Sequence, residues 1–196
     1  MRPRVPHLGR GGLRWPGAGL LSLPVLPLSG VVFVLLTLGT ITFDGFANTF
    51  VWLSAIGINP LDFPGRTPVM AANTLGILLV SGALAAGFFA SVWAGWIWAG
   101  RPDALGTLCG RLVYSLIPIS VAYHFAHYLS DTLVKSQYLL LALNDPLQTG
   151  ADLFGIGPAH VMTSFQNTAS GTLAIYAAQT SALVLGHVIS VAVAHS

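Results

Sequence analysis

Four side chains able to do chemistry share a helical spacing: Ser120, His124, His127 and Asp131 stand four, three and four residues apart. At about 100° per residue they fall within roughly 60° of one another, a single stripe on one helix. Imidazole is the commonest metal ligand, and a His pair at i, i+3 can converge on one ion. A carboxylate can join as a further ligand or can orient a His through its other ring nitrogen. The stripe is thus a candidate site for a divalent metal, Zn or Cu, or for a proton. The structural alternative is that His124 and His127 hydrogen-bond across helices or to water, with Tyr123 and Tyr128 as interface anchors. Asp44 lies at a similar depth, and Asp145, Asp152 and His160 lie in a connection able to fold over the site.

Tyr176, Thr180 and His187 form a second stripe, within roughly 40°. His187 could ligate a haem or pair with the first stripe, but depth argues against a shared site. His124 lies about 21 Å into the membrane from one side and His187 about 24 Å from the other, at 1.5 Å per residue. In a core about 30 Å thick they are separated by about 15 Å along the normal. Haem is therefore the weaker cofactor reading. His195 reads as solvated near the surface, and His7 lies in the leader.

The elements that carry these stripes follow from composition. Of 196 residues, 54% are hydrophobic and 7% charged, against roughly 25% charged in soluble domains. Several uncharged runs reach the roughly 20 residues that cross a bilayer as helix. The expected fold is all-α: a polytopic transmembrane bundle of about four helices, over 17–43, 69–99, 107–129 and 171–194. Residues 1–16 read as a basic leader carrying Arg2, Arg4, Arg10 and Arg14, and 17–196 as one transmembrane domain. The first apolar run is too long for a signal-peptide core of roughly 7–15 residues. Pro24 and Pro27 suggest that its regular part begins near Leu28, or that it is kinked there. Pro118 predicts a bend in the third span. Short interfacial helices are expected within 44–68, where Trp52 fits headgroup level, and around 137–143.

Ala83, Gly87, Ser91 and Gly95 put small residues at every fourth position of the second span. Such a ridge lets another backbone approach closely, either a neighbouring helix, a partner protein or a second copy. Basic residues set orientation. With the N-terminus inside, Arg101 and Arg111 join the leader on the inner side, leaving Arg66 and Lys135 outside, the positive-inside pattern of a bacterial inner membrane.

The composition also excludes. The net charge of +2 is explained by this distribution, so no nucleic-acid partner is read from it. A lone Cys109 forms no intrachain disulfide and no CxxC motif. All six acids are Asp, which removes Glu-based motifs such as HExxH. No nucleophile elbow, phosphate loop or dinucleotide fingerprint occurs.

The run Ser115-Leu-Ile-Pro-Ile-Ser-Val-Ala-Tyr-His-Phe-Ala-His-Tyr-Leu129 carries a family likeness. So do Thr42-Phe-Asp-Gly-Phe46, Asn144-Asp-Pro146 with Asp152-Leu-Phe-Gly155, and Leu185-Gly-His187 with Ala194-His195. From about residue 38 to 195 the chain resembles bacterial polytopic membrane proteins commonly named fenitrothion hydrolase. The resemblance implies hydrolysis of an organophosphorus ester, and its pattern takes in Asp44, His124, His127, Asp145, Asp152 and His187 without assigning any a catalytic role. Members of that family are longer, so the chain reads as a short member or a fragment.

Three function classes follow. One is a metal-dependent membrane hydrolase. The second is a copper- or haem-binding electron-transfer or metal-handling subunit. The third is a structural or assembly subunit whose polar stripe only packs.

Overall fold

The computed structural model describes residues 15–59, 61, 65–101, 103–157 and 160–196. The leader expected over 1–16 lies outside these except for Trp15 and Pro16. Six α-helices are described: α1 Leu28–Ala47, α2 Phe50–Ala55, α3 Arg66–Trp98, α4 Leu105–Leu112, α5 Leu116–Asn144 and α6 Ala169–Ala194. No strand occurs among the described residues. Helix α1, helix α3, the run Leu105–Asn144 and helix α6 are long and apolar enough to cross a membrane. The protein is all-α and multi-pass, as the hydropathy predicts.

The prolines act as expected at the first span. A 3₁₀ turn over Ala18–Ser22 is followed by an extended stretch, and α1 starts at Leu28 after Pro27. The third span is interrupted by a 3₁₀ turn, Val113–Ser115, just ahead of Pro118. Proline has no N–H for the residue four positions back and its ring crowds that carbonyl, so the α-helix restarts just ahead of it. Helix α3 stops in a Schellman arrangement. The Arg101 N–H donates to the Trp96 carbonyl at 2.9 Å and the Gly100 N–H to Ile97 at 3.1 Å, with Gly100 and Arg101 both left-handed.

One expectation is corrected. No separate interfacial helix forms over 137–143. Helix α5 continues unbroken past Ser130 to Asn144. Polar residues mark where a span leaves the apolar slab, but they need not end a helix. The run from Leu139 to Leu143 is rich in good helix formers.

The chain divides into two compact units. The first runs to Tyr123 and includes Leu185–Ser196. Its core is Val31, Leu35 and Val113, with Phe88, Phe89 and Leu116 packed against it. Helices α1 and α3 approach closely because Gly39 admits Ser81 against its backbone and Gly76 admits the Phe43 ring against its own. Helix α2 closes one end of this seam. Trp52 stacks edge-on against Phe43 at 5.1 Å and donates from Nε1 to Asn73 Oδ1 at 2.8 Å.

The second unit, His124–Val184, holds most of α5, the following connection and the first half of α6. Helix α6 lies along the Ala126 side of α5 there, where Gln179 Nε2 donates to the Ala126 carbonyl at 2.8 Å.

Candidate functional site

In the second unit, His124, His127 and Asp131 lie roughly 100–160° around α5 from Ala126, at 100° per residue. Both histidines are half-buried. They flank one aromatic ring: the Tyr128 centroid is 4.6 Å from the His127 ring, edge-on at 74°, and 6.3 Å from His124. Tyr128 therefore packs against the pair, a role that the spacing analysis gave it only as an interface anchor.

Asp131 is engaged within its own helix. Its Oδ2 lies 2.5 Å from Lys135 Nζ, one turn on, with both side chains more than half exposed. Such an i, i+4 pair contributes a few tenths of a kcal/mol. It also places a cation beside the carboxylate that was expected to serve a metal.

Asp145 and Asp152 hold their own loop. The Asp145 carboxylate accepts from the Thr149 N–H at 2.9 Å and the Gly150 N–H at 2.7 Å. These bonds, that of Thr149 foremost, keep its acidity above that of an ordinary Asp. Asp152 accepts from Asn144 Nδ2 at 2.9 Å and from the Ile156 and Gly157 N–H groups. Its pKa is lowered as well, chiefly by Asn144. Both are Asx-type turn anchors followed by left-handed glycines, Gly150, Gly155 and Gly157. The sequence carried that signal in its Asp-Pro and Gly spacing.

The remaining candidates are scattered. Ser120 is buried and belongs to the first unit. Asp44 is exposed on the last turn of α1. Tyr176, Thr180 and His187 are exposed on α6, whereas Gly186 and Ser190 turn inward. Gly186 leaves room for Pro118 and Ala122, and Ser190 Oγ donates to the Ser115 carbonyl at 2.5 Å. The α6 face that meets its neighbour is thus the small-residue face beside His187, not the His187 face. His160 is exposed in the connection.

Among the described residues no group of three or more His, Cys, Asp or Glu side chains gathers to share one ion. His124 and His127 remain neighbours one turn apart on α5, both against the Tyr128 ring. A structural zinc site takes four protein ligands and a catalytic one three. The described residues therefore do not assemble a mononuclear zinc hydrolase centre.

The glutamines of this unit were not legible as a group. Gln137 binds the Met162 peptide from both sides, Nε2 to its carbonyl at 2.9 Å and its N–H to Oε1 at 2.8 Å. Gln166 Nε2 donates to the Ser130 carbonyl at 3.2 Å. They fasten the connection back along α5.

Comparison with known proteins finds no family model, no curated protein and no solved structure that matches this chain.

Proposed function

We propose that the protein is a membrane-embedded metal-handling subunit in which His124 and His127 take up an exchangeable Zn or Cu ion. The carrying observation is two half-buried imidazoles one turn apart on α5, both packed against the Tyr128 ring. Ionisable groups on a membrane helix are costly and ordinarily serve a site or a cavity. Two protein ligands leave coordination positions open, which suits uptake and transfer better than a closed structural site. Copper and zinc both accept imidazole.

The distribution of basic residues supports a bacterial cytoplasmic membrane with the N-terminus inside. The ridge of α3 supports a further helix contact. Ala83, Gly87, Ser91 and Gly95 are all exposed, and a side chain added at Gly87 or Gly95 would meet open space. A partner or a second copy is the reading for that face. The haem alternative rests on His187 alone, which is exposed.

The test is metal retention. Purified full chain, equilibrated with Zn or Cu and then freed of excess ion, is expected to keep stoichiometric metal. The His124→Ala/His127→Ala variant is expected to lose it, and Asp131→Ala to keep it. Equal metal in wild type and the double variant would overturn the proposal. Turnover of an organophosphorus ester by wild type but not by the double variant would instead favour the hydrolase implied by the family resemblance.

A further inference from the structure

The first unit contains a cavity of about 900 Å³ that the metal reading does not use. It lies where the 3₁₀ turn Ala18–Ser22, the stretch after it, helix α4 and the end of α6 converge. Pro24 and Pro27 keep that stretch out of helical form. It is pinned instead to the third span. The Leu26 N–H donates to the Gly110 carbonyl at 3.2 Å, Tyr114 Oη donates to the Pro24 carbonyl at 2.6 Å, and Gly110 leaves room for the Leu26 backbone.

The lining is mostly apolar, with Leu20, Leu23, Leu108, Leu112 and Val193 among its residues. The polar groups on its wall are nearly all committed. Ser22 Oγ donates to the Gly19 carbonyl at 2.8 Å, and Tyr114 is held as described. Arg111 is the exception. Its guanidinium is 61% exposed, and among the described residues its partner is Asp103 at 3.7 Å, beyond hydrogen-bond length. A fork of five N–H donors therefore stands beside an apolar cavity sized like a small-molecule site, roughly 300–1,000 Å³.

We infer that this cavity holds an acyl chain of an anionic phospholipid whose phosphate sits on Arg111. A guanidinium matches the paired oxygens of a phosphodiester. The location fits as well, because α4 and the end of α6 both line the cavity, which places it between spans. Basic pockets between membrane helices at the cytoplasmic side are the usual form of such lipid sites. A free anion would use the guanidinium but would leave the apolar wall unfilled. A neutral lipid would fill the wall but leave the cation unmatched. The anionic diacyl lipid answers both features, and it does not depend on the histidines.

The experiment is lipid binding by the full chain in a neutral detergent, read by native mass spectrometry and by thermal unfolding. Wild type is expected to retain phosphatidylglycerol over phosphatidylcholine and to unfold at a higher temperature with it. Arg111→Gln should weaken phosphatidylglycerol about fivefold, the equivalent of about 1 kcal/mol per basic residue. Arg111→Lys should keep most of the preference. Leu108→Trp should displace the lipid while Arg111 remains. Arg66→Gln, at the opposite end of α3, should change nothing. Equal retention of the two lipids, or an unchanged preference in Arg111→Gln, would overturn the inference. Equal stabilisation by glycerol phosphate alone would overturn it too, because a free-anion site needs no apolar wall.

Discussion

The α1–α3 seam and the connection from Gln137 to Gln166 are ordered by opposite means. In the seam, Gly39 and Gly76 bring Ser81 and Phe43 against the facing backbone, and shape alone fixes the crossing. Within it Ser81 Oγ is buried without a hydrogen-bond partner. In the connection, side-chain amides and carboxylates do what packing does in the seam. Gln137, Asn144, Asp145, Asp152 and Gln166 each bond the main chain, while Leu147, Leu153 and Phe154 remain exposed. The difference follows from solvent. Between apolar helices in lipid there is little hydrophobic gain, so close approach and dispersion hold the contact. Outside the slab a loop must satisfy its own N–H and C=O groups, and short polar side chains are the nearest partners.

The sharpest way to break this contrast is steric. Gly39→Leu would drive a side chain into the Ser81 backbone, which has no rotamer through which to yield. The expected cost is about 3 kcal/mol or more, read as loss of the folded fraction in detergent. Gly87→Leu, on the same helix as Ser81 but facing open space, should stay within about 0.5 kcal/mol. Similar losses for both would mean that helix propensity, not the crossing, is being measured.

The connection should break chemically. Asn144 is buried, donates to Asp152 at 2.9 Å and accepts from the Phe154 N–H at 2.8 Å. Asn144→Ala orphans both partners, at about 1–3 kcal/mol. The effect should be local: faster hydrogen exchange over 145–157 with the seam unchanged. Exchange that rises in α1 and α3 as well would show the two regions to be one cooperative unit.

The two regions also differed in how far they could be read beforehand. Pro24 and Pro27 pointed to a regular start near Leu28 or a kink there within the span expected over 17–43, and α3 and α6 lie within three residues of the expected limits at either end. Apolar length and proline are local signals, so they survive without tertiary information. The extension of α5 beyond Leu129 was hidden because Ser130 and Asp131 look like a terminus when they only mark an exit from the slab. The site was half legible. Helical spacing put His124, His127 and Asp131 on one stripe, but with the span expected to end at 129, Lys135 was read as part of the connection rather than as the helical partner of Asp131 one turn on. Nor does it show that Asp145 and Asp152 serve the loop itself. A carboxylate reads alike as a ligand and as an Asx anchor until the N–H groups around it are in place.

The smallest expected effect sharpens the comparison through pH. Asp145 and Asp152 both have lowered pKa values in the folded chain, so their stabilisation is present above the ordinary Asp value of 3.8. It is lost as pH falls through the folded values, when protonation removes the acceptors of the Thr149, Gly150, Ile156 and Gly157 N–H groups. Amide chemical shifts of Gly150 and Gly157 should thus hold steady down to about pH 4 and move below it. Asp152→Asn should release Gly157 at neutral pH while leaving Gly150 in place, because Asp145 anchors the latter on its own. Gly39 and Gly76 pack against Ser81 and Phe43 rather than a carboxylate, so they should keep their shifts throughout the titration. Movement of the seam glycines together with Gly150 would mean that acid unfolds the chain as a whole, and the loop could then no longer be credited with a separate electrostatic anchor.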